Sequence, residues 1–181
     1  MPEPAPPASP TAPEPQTADP APQPTPAQPA SWNNQVIPEQ AGTFHIVFAF
    51  VPTEPSGAPI NAVVGLSSGE AADLSDLGPI VRFSPAGTLD VRNGPAFASD
   101  TAFAYRTGET YQIRLDVDLA RRRYSVMAEE NGGPSTTIAS DYAFGVEQSD
   151  MAQIDNVARL VDSPTGSLQQ IAYELTSSPA Q

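Results

Sequence analysis

The 181-residue chain has no cysteine and no lysine, and only one histidine and one tryptophan. Without cysteine there is no disulfide, no thiol nucleophile and no cysteine metal site. Without lysine, eight arginines carry all the basic charge against 21 acidic residues, a formal net charge of −13. That balance opposes nucleic acid, whose phosphates need a basic surface, and anionic membranes equally. No apolar run approaches the ~20 residues that cross a bilayer, so direct membrane insertion is not expected. There is no phosphate-cradling glycine loop, serine elbow or Cys–His pair. The lone histidine, His45, sits in the most apolar run of the chain. A hydrogen-bonded structural role is expected for it rather than that of a base or metal ligand.

Proline is abundant but unevenly placed, with twelve of the 22 among residues 1–30. Each proline removes a backbone donor and biases its predecessor toward extended backbone. Little but alanine is left there to bury. Residues 1–33 are therefore predicted to be a disordered, Pro/Ala-rich tether, and residues 34–178 a single β-sandwich domain. Tethers of this kind follow an export signal or a lipid anchor. Neither lies within this chain, and display at the cell envelope or secretion is the expectation.

Period-two alternation dominates the rest. In TYQIRLDVD, Tyr111, Ile113, Leu115 and Val117 point one way and Gln112, Arg114, Asp116 and Asp118 the other. In RYSVMAE, Tyr124, Val126 and Ala128 oppose Arg123, Ser125, Met127 and Glu129. This is the mark of strands with one face on a core. Further strands are predicted at 43–51, 60–68, 79–84, 88–93, 96–98, 102–105, 136–140, 142–145, 155–162 and 167–176. The loop at 69–78 has room for one short helical turn. Turns every 8–12 residues and no convincing helix predict an all-β protein, a two-sheet antiparallel sandwich.

The pattern Gly108-x-x-Tyr111-x-Ile113-Arg114-x-x-Val117-Asp118, then Tyr124-Ser125-Val126, then Ile138-Ala139-x-Asp141-Tyr142-x-Phe144, resembles bacterial laminin-G-like domains of the concanavalin A-like lectin/glucanase superfamily. Val64-Gly65-Leu66-Ser67, Val81-Arg82-Phe83 and Asp90-Val91-Arg92-Asn93-Gly94 fit the same picture. The resemblance spans about residues 35–176 and implies a jelly-roll sandwich. Its relatives mostly bind glycans on a concave sheet or its rim loops, often with calcium.

Arg82, Asp90 and Arg92 share outward parity on one hairpin, and Arg114 and Asp116 share it on a later strand. If these strands lie in one sheet, they dress its open face for sugar hydroxyls or uronate carboxylates. The competing reading is a ladder of solvated ion pairs. Trp32, Tyr105 and Tyr142 stand at strand ends, where an aromatic ring can stack on a sugar. Tyr111, Tyr124 and Tyr173 share parity with aliphatic residues and are expected in the core. Glu70, Asp73 and Asp76 offer loop oxygens for calcium, although their spacing matches no defined calcium loop. Asp116-Val117-Asp118 lacks the glutamates of the superfamily's Glu-x-Asp-x-x-Glu glucanase motif. The expected role is a monomeric, non-catalytic module for a polysaccharide or glycoconjugate. The alternatives are a small lyase or hydrolase, and a structural or protein-binding domain.

Overall fold

The computed structural model describes Met1 and residues 30–177. Most of the predicted tether lies outside the described residues. Eleven strands build two antiparallel sheets. They are β1 (Asn33–Gln40), β2 (Thr43–Thr53), β3 (Ala62–Ser67), β4 (Leu77–Phe83), β5 (Thr88–Asn93), β6 (Ala96–Ala104), β7 (Tyr111–Asp118), β8 (Arg123–Glu130), β9 (Thr136–Ala143), β10 (Ile154–Val161) and β11 (Ser167–Ser177). One sheet has six strands in the order β1-β10-β3-β4-β5-β6, the other five in the order β11-β2-β7-β8-β9. The chain is an all-β, two-sheet sandwich of jelly-roll type.

The alternation drives the packing. Phe44, Ile46, Phe48 and Phe50 of β2 and Tyr111, Ile113, Leu115 and Val117 of β7 are buried against Val64, Leu66, Val81, Phe83, Leu89 and Val91 of the other sheet. Phe83 meets Phe50, Tyr105 and Tyr111 edge-on, with ring centroids 5.1–6.3 Å apart. Such contacts add to the area term, which is itself about 25 cal/mol per Å² of apolar surface buried. Tyr124 spans the sandwich from β8: its hydroxyl accepts from the Ile80 N–H and donates to the Arg92 carbonyl. Burial pushes its pKa well above the ordinary tyrosine value.

The structure departs from the sequence expectation at four places. β1 was not expected, because NNQVIPEQ shows little alternation and contains Pro38. It is an edge strand paired only with β10, and its register shifts between Val36 and Gln40, where a proline is tolerated. The two short strands expected at 96–98 and 102–105 are halves of β6. Ala98 pairs with Val91 and Phe103 with Leu89, so residues 99–102 bulge out between them. The strands expected at 136–140 and 142–145 are likewise one strand, β9, with register shifts against β8. Tyr173, expected in the core, is 39% exposed: it keeps core parity opposite Phe48, but on the edge strand β11.

Candidate functional site

The six-stranded sheet buries apolar residues on its outer face too. Val63, Ile80 and Ala158 are covered there by Ala71 and Leu77, with Trp32, Leu74, Phe97 and Leu160 packed around them. The cover is the segment between β3 and β4 together with Leu77, the first residue of β4. It is held by Asp73, whose carboxylate accepts from the Ser75 N–H at 3.0 Å, and by Asp76, which accepts from Ala72 and Asp73 N–H at 2.8 and 2.9 Å. Gly65 lies beneath it: a Cβ there would stand 2.6 Å from Leu77 Cδ1.

Beside this cover a groove of about 210 Å³ remains open, lined by Asn61, Val63, Leu74, Arg82, Phe97, Leu160 and Asp162. Arg82 and Asp90 face each other across the β4–β5 register. Nε and Nη2 of Arg82 donate to the two carboxylate oxygens at 3.0 and 2.6 Å. The same guanidinium lies 4.2 Å above the Phe97 ring centroid. Its pKa is raised, chiefly by the hydrogen bond to Asp90. A planar cation clamped from one side and stacked from another is held in one orientation before any ligand arrives. Phe97 went unnoticed in the sequence because it stands alone in a small-residue run, AFASDTA.

Arg92 has the parity of Arg82 but not its exposure, being 8% accessible. The 145–148 segment closes over it, with Glu147 Oε2 3.2 Å from Nη2, while Nε donates to the Gly94 carbonyl at 2.9 Å. It is a structural arginine and not part of an open face. Tyr105 is also buried, at 3% exposure, and its hydroxyl lies 2.7 Å from the Ile60 carbonyl. Burial pushes its pKa up to about 12. It belongs to the core and presents no face to a sugar. Tyr142 is buried with its hydroxyl donating to Asp100 at 2.9 Å. Trp32 is half-buried against the outer cluster of the six-stranded sheet.

Arg114 and Asp116 occupy the other sheet, so the single polar face expected from Arg82 to Asp116 does not form. They line the outer face of the five-stranded sheet in a second depression of about 330 Å³ with His45, Arg123, Ser125 and Asp141. One register row runs His45–Asp116–Ser125 across β2, β7 and β8. His45 thus faces outward into a polar depression rather than serving inside the sheet. Asp141, with φ +53°, receives both Arg121 and Arg123 at 3.3 and 3.7 Å.

The loop carboxylates expected to ligate calcium are turned to their own turn. Asp73 and Asp76 cap it reciprocally, which lowers the Asp73 pKa through the Ser75 hydrogen bonds. Among the described residues no group of three or more His, Asp or Glu side chains converges as a metal site, nor is any helix long and apolar enough to cross a membrane.

No family model matches the chain. Over 121 residues it is 26% identical to a gellan lyase from Bacillus sp, covering 65% of this chain. The chain spans about 5% of that lyase's length. Among solved structures, peanut lectin superposes with TM-score 0.57 at 11% identity, covering 76% of this chain and 72% of the lectin. The lectin UEA-II complexed with galactose gives TM-score 0.55 at 10% identity, covering 86% and 84%. A sialidase gives 0.54 at 12% identity, covering 83% of this chain but 14% of the sialidase. At these identities the likeness speaks for the fold alone, and it is consistent with a concanavalin A-like lectin/glucanase fold.

Proposed function

We propose that this chain is a non-catalytic, laminin-G-like glycan-binding module, that residues 34–178 form its single domain, and that the sugar lies over the outer face of the six-stranded sheet at Arg82, Asp90 and Phe97. The observation that carries the reading is the bidentate Arg82–Asp90 pair stacked on Phe97 beside an open groove. A sugar ring offers an apolar C–H face and a fringe of hydroxyls. The groove offers an apolar floor of Leu74, Leu160 and Phe97 and a fringe of Arg82, Asn61 and Asp162, with Asp90 behind Arg82 as its hydrogen-bond partner. Asp90 is held by Arg82 through two N–H bonds, and the remaining lone pairs of its carboxylate oxygens can accept from a sugar hydroxyl. The fold shared with the lectins and the likeness to part of a gellan lyase support a glycan ligand. We place the protein outside the cell on the same grounds, as a monomer carried on its proline-rich tether.

The test is a glycan array followed by titration of the best neutral oligosaccharide into Phe97→Ala and Arg82→Ala. Each is expected to weaken binding by about tenfold, roughly the worth of one stacking or one charged hydrogen-bonded contact. Unchanged affinity in both would remove the site.

A second reading rests on the row His45–Asp116–Ser125, which sets the only histidine of the chain beside a carboxylate in a polar depression. On that reading the five-stranded sheet holds a lyase or hydrolase centre. Turnover of a polysaccharide panel, lost in Asp116→Asn and His45→Gln, would establish it.

A further inference from the structure

Six of the eight arginines of this acidic chain are matched to carboxylates among the described residues. Arg82, Arg92, Arg106, Arg114, Arg121 and Arg123 each form an ion pair among the described residues. Arg122 and Arg159 do not, and each keeps a buried Nε without a partner; Arg159 is the one that lines a cleft. Arg159 lies on β10, between Ala158, which faces the outer cluster, and Leu160. Its parity is that of Val157, which faces the core. The side chain therefore points inward, into the gap between the two sheets at the rim where β1 and β11 meet. Nη2 donates to Asn33 Oδ1 at 2.6 Å and Nη1 reaches the Leu168 carbonyl only at 3.5 Å. Nε is buried with no partner. A guanidinium has five N–H donors, and most of these have no acceptor among the described residues. A half-buried cation without a counter-charge is costly. Burial alone lowers the Arg159 pKa, with no acid set against it.

The guanidinium faces a cleft of about 440 Å³ lined by Ser31, Asn33, Ser163, Gly166, Ser167 and Leu168. The Ser163 hydroxyl oxygen accepts from the Asn61 N–H at 2.8 Å, and no acceptor holds its own proton among the described residues. Of two loop carboxylates near the cleft, Glu54 accepts from Thr165 through Oε1 while Oε2 stays beside Gly166, and Asp162 accepts from the Asn61 side chain. A fixed cation, a free hydroxyl donor and an amide in one cleft form a receptor for a small anion.

We propose that this cleft binds a carboxylate carried on a small polar molecule, Arg159 meeting the carboxylate and Ser163 donating to it. A uronic acid sugar fits the chemistry, since its hydroxyls also find Asn33 and Ser167. The site lies at the rim of the sandwich, apart from the Arg82–Phe97 groove, and stands whether or not that groove binds sugar.

Titration of glucuronate into the ¹⁵N-labelled full chain tests it, with glucose as the uncharged control. Saturable shifts are expected for the Arg159 Nε–H and the Ser163 and Ser167 amides with glucuronate and not with glucose. Arg159→Gln should weaken the response at least tenfold, and Phe97→Ala should leave it intact. Should Arg159→Gln fail to fold, Ser163→Ala is expected to weaken binding severalfold. Equal response to glucose, no saturable shift at tens of millimolar, or undiminished affinity in these cleft variants would overturn the proposal.

Discussion

The two sheets have the same inward chemistry and opposite outward chemistry. Inside, both present alternate large apolar residues, and Tyr124 joins them through Ile80 and Arg92. Outside, the six-stranded sheet carries a second apolar cluster under the cover between β3 and β4, and keeps one groove open beside it. The five-stranded sheet exposes His45, Arg114, Asp116, Arg123 and Ser125 in an uncovered polar depression. A polar face is soluble as it stands. An apolar face must be covered or occupied, and the cover here stops short of Phe97 and Leu160. That asymmetry is why the sugar is placed on the six-stranded sheet.

The largest effect that would sharpen this contrast is at Gly65. Its missing side chain lets Leu77 lie against the sheet. Gly65→Val should destabilise the domain by about 1–3 kcal/mol through overpacking. Val47→Thr, on the open face of β2, should change stability by less than about 0.5 kcal/mol, as surface substitutions do. Denaturant melts of both variants measure the difference. Equal costs would mean that the cover is not packed as described.

Next in size is ligand affinity. Phe97→Ala is expected to cost a neutral oligosaccharide about tenfold, or roughly 1.4 kcal/mol, whereas Arg114→Ala should cost it nothing. The reverse order would transfer the site to the five-stranded sheet. Isothermal titration of both variants with one ligand decides between the faces.

Much of this contrast was hidden in the sequence. Alternation exposed the strands and their inward residues, because burying one face of a strand constrains every second position. It could not say which sheet a strand joins. Arg82 and Arg114 have the same outward parity, and only the strand order separates them by a whole sandwich. Parity also failed where a later segment folds back. Arg92 is outward on β5 and yet buried, because residues 145–148, distant in sequence, bring Glu147 over it. Tyr105 read as a rim aromatic and is held in the core by the Ile60 and Ser84 carbonyls. Phe97 and Arg159 gave no sequence signal at all: their roles arise from a cation above one and, among the described residues, from the lack of an ion pair at the other.

A smaller effect separates the two ion pairs. Arg82–Asp90 has two hydrogen bonds, with side chains 29% and 18% exposed, while Arg114–Asp116 has side chains 42% and 38% exposed. Double-mutant cycles should give a coupling of about 1 kcal/mol for the first and less than about 0.5 kcal/mol for the second. The first should also resist added salt better, being partly shielded and stacked on Phe97. Equal couplings would mean that Phe97 does nothing to hold Arg82.

The smallest effect lies in the cover itself. The Asp73 carboxyl has its pKa lowered by the Ser75 backbone N–H and then by the Ser75 hydroxyl. A carboxylate that is more acidic when folded stabilises the fold fully above its unfolded value, about 3.9, and loses that contribution as pH falls through the lower folded value. Protonation takes the charge from the acceptor that holds the turn at Leu74–Asp76 and weakens its hydrogen bonds to Ser75. Below pH 4, amide exchange at Ser75 should therefore quicken before exchange on β7 and β8 does, and a carboxyl-carbon titration should place the Asp73 midpoint below 3.8. Asp73→Asn keeps an acceptor oxygen but cannot titrate, so it should abolish the early step and leave later acid unfolding unchanged. If the two faces loosen together in the parent chain, the cover is not an independently held element, and the contrast between the sheets rests on their apolar residues alone.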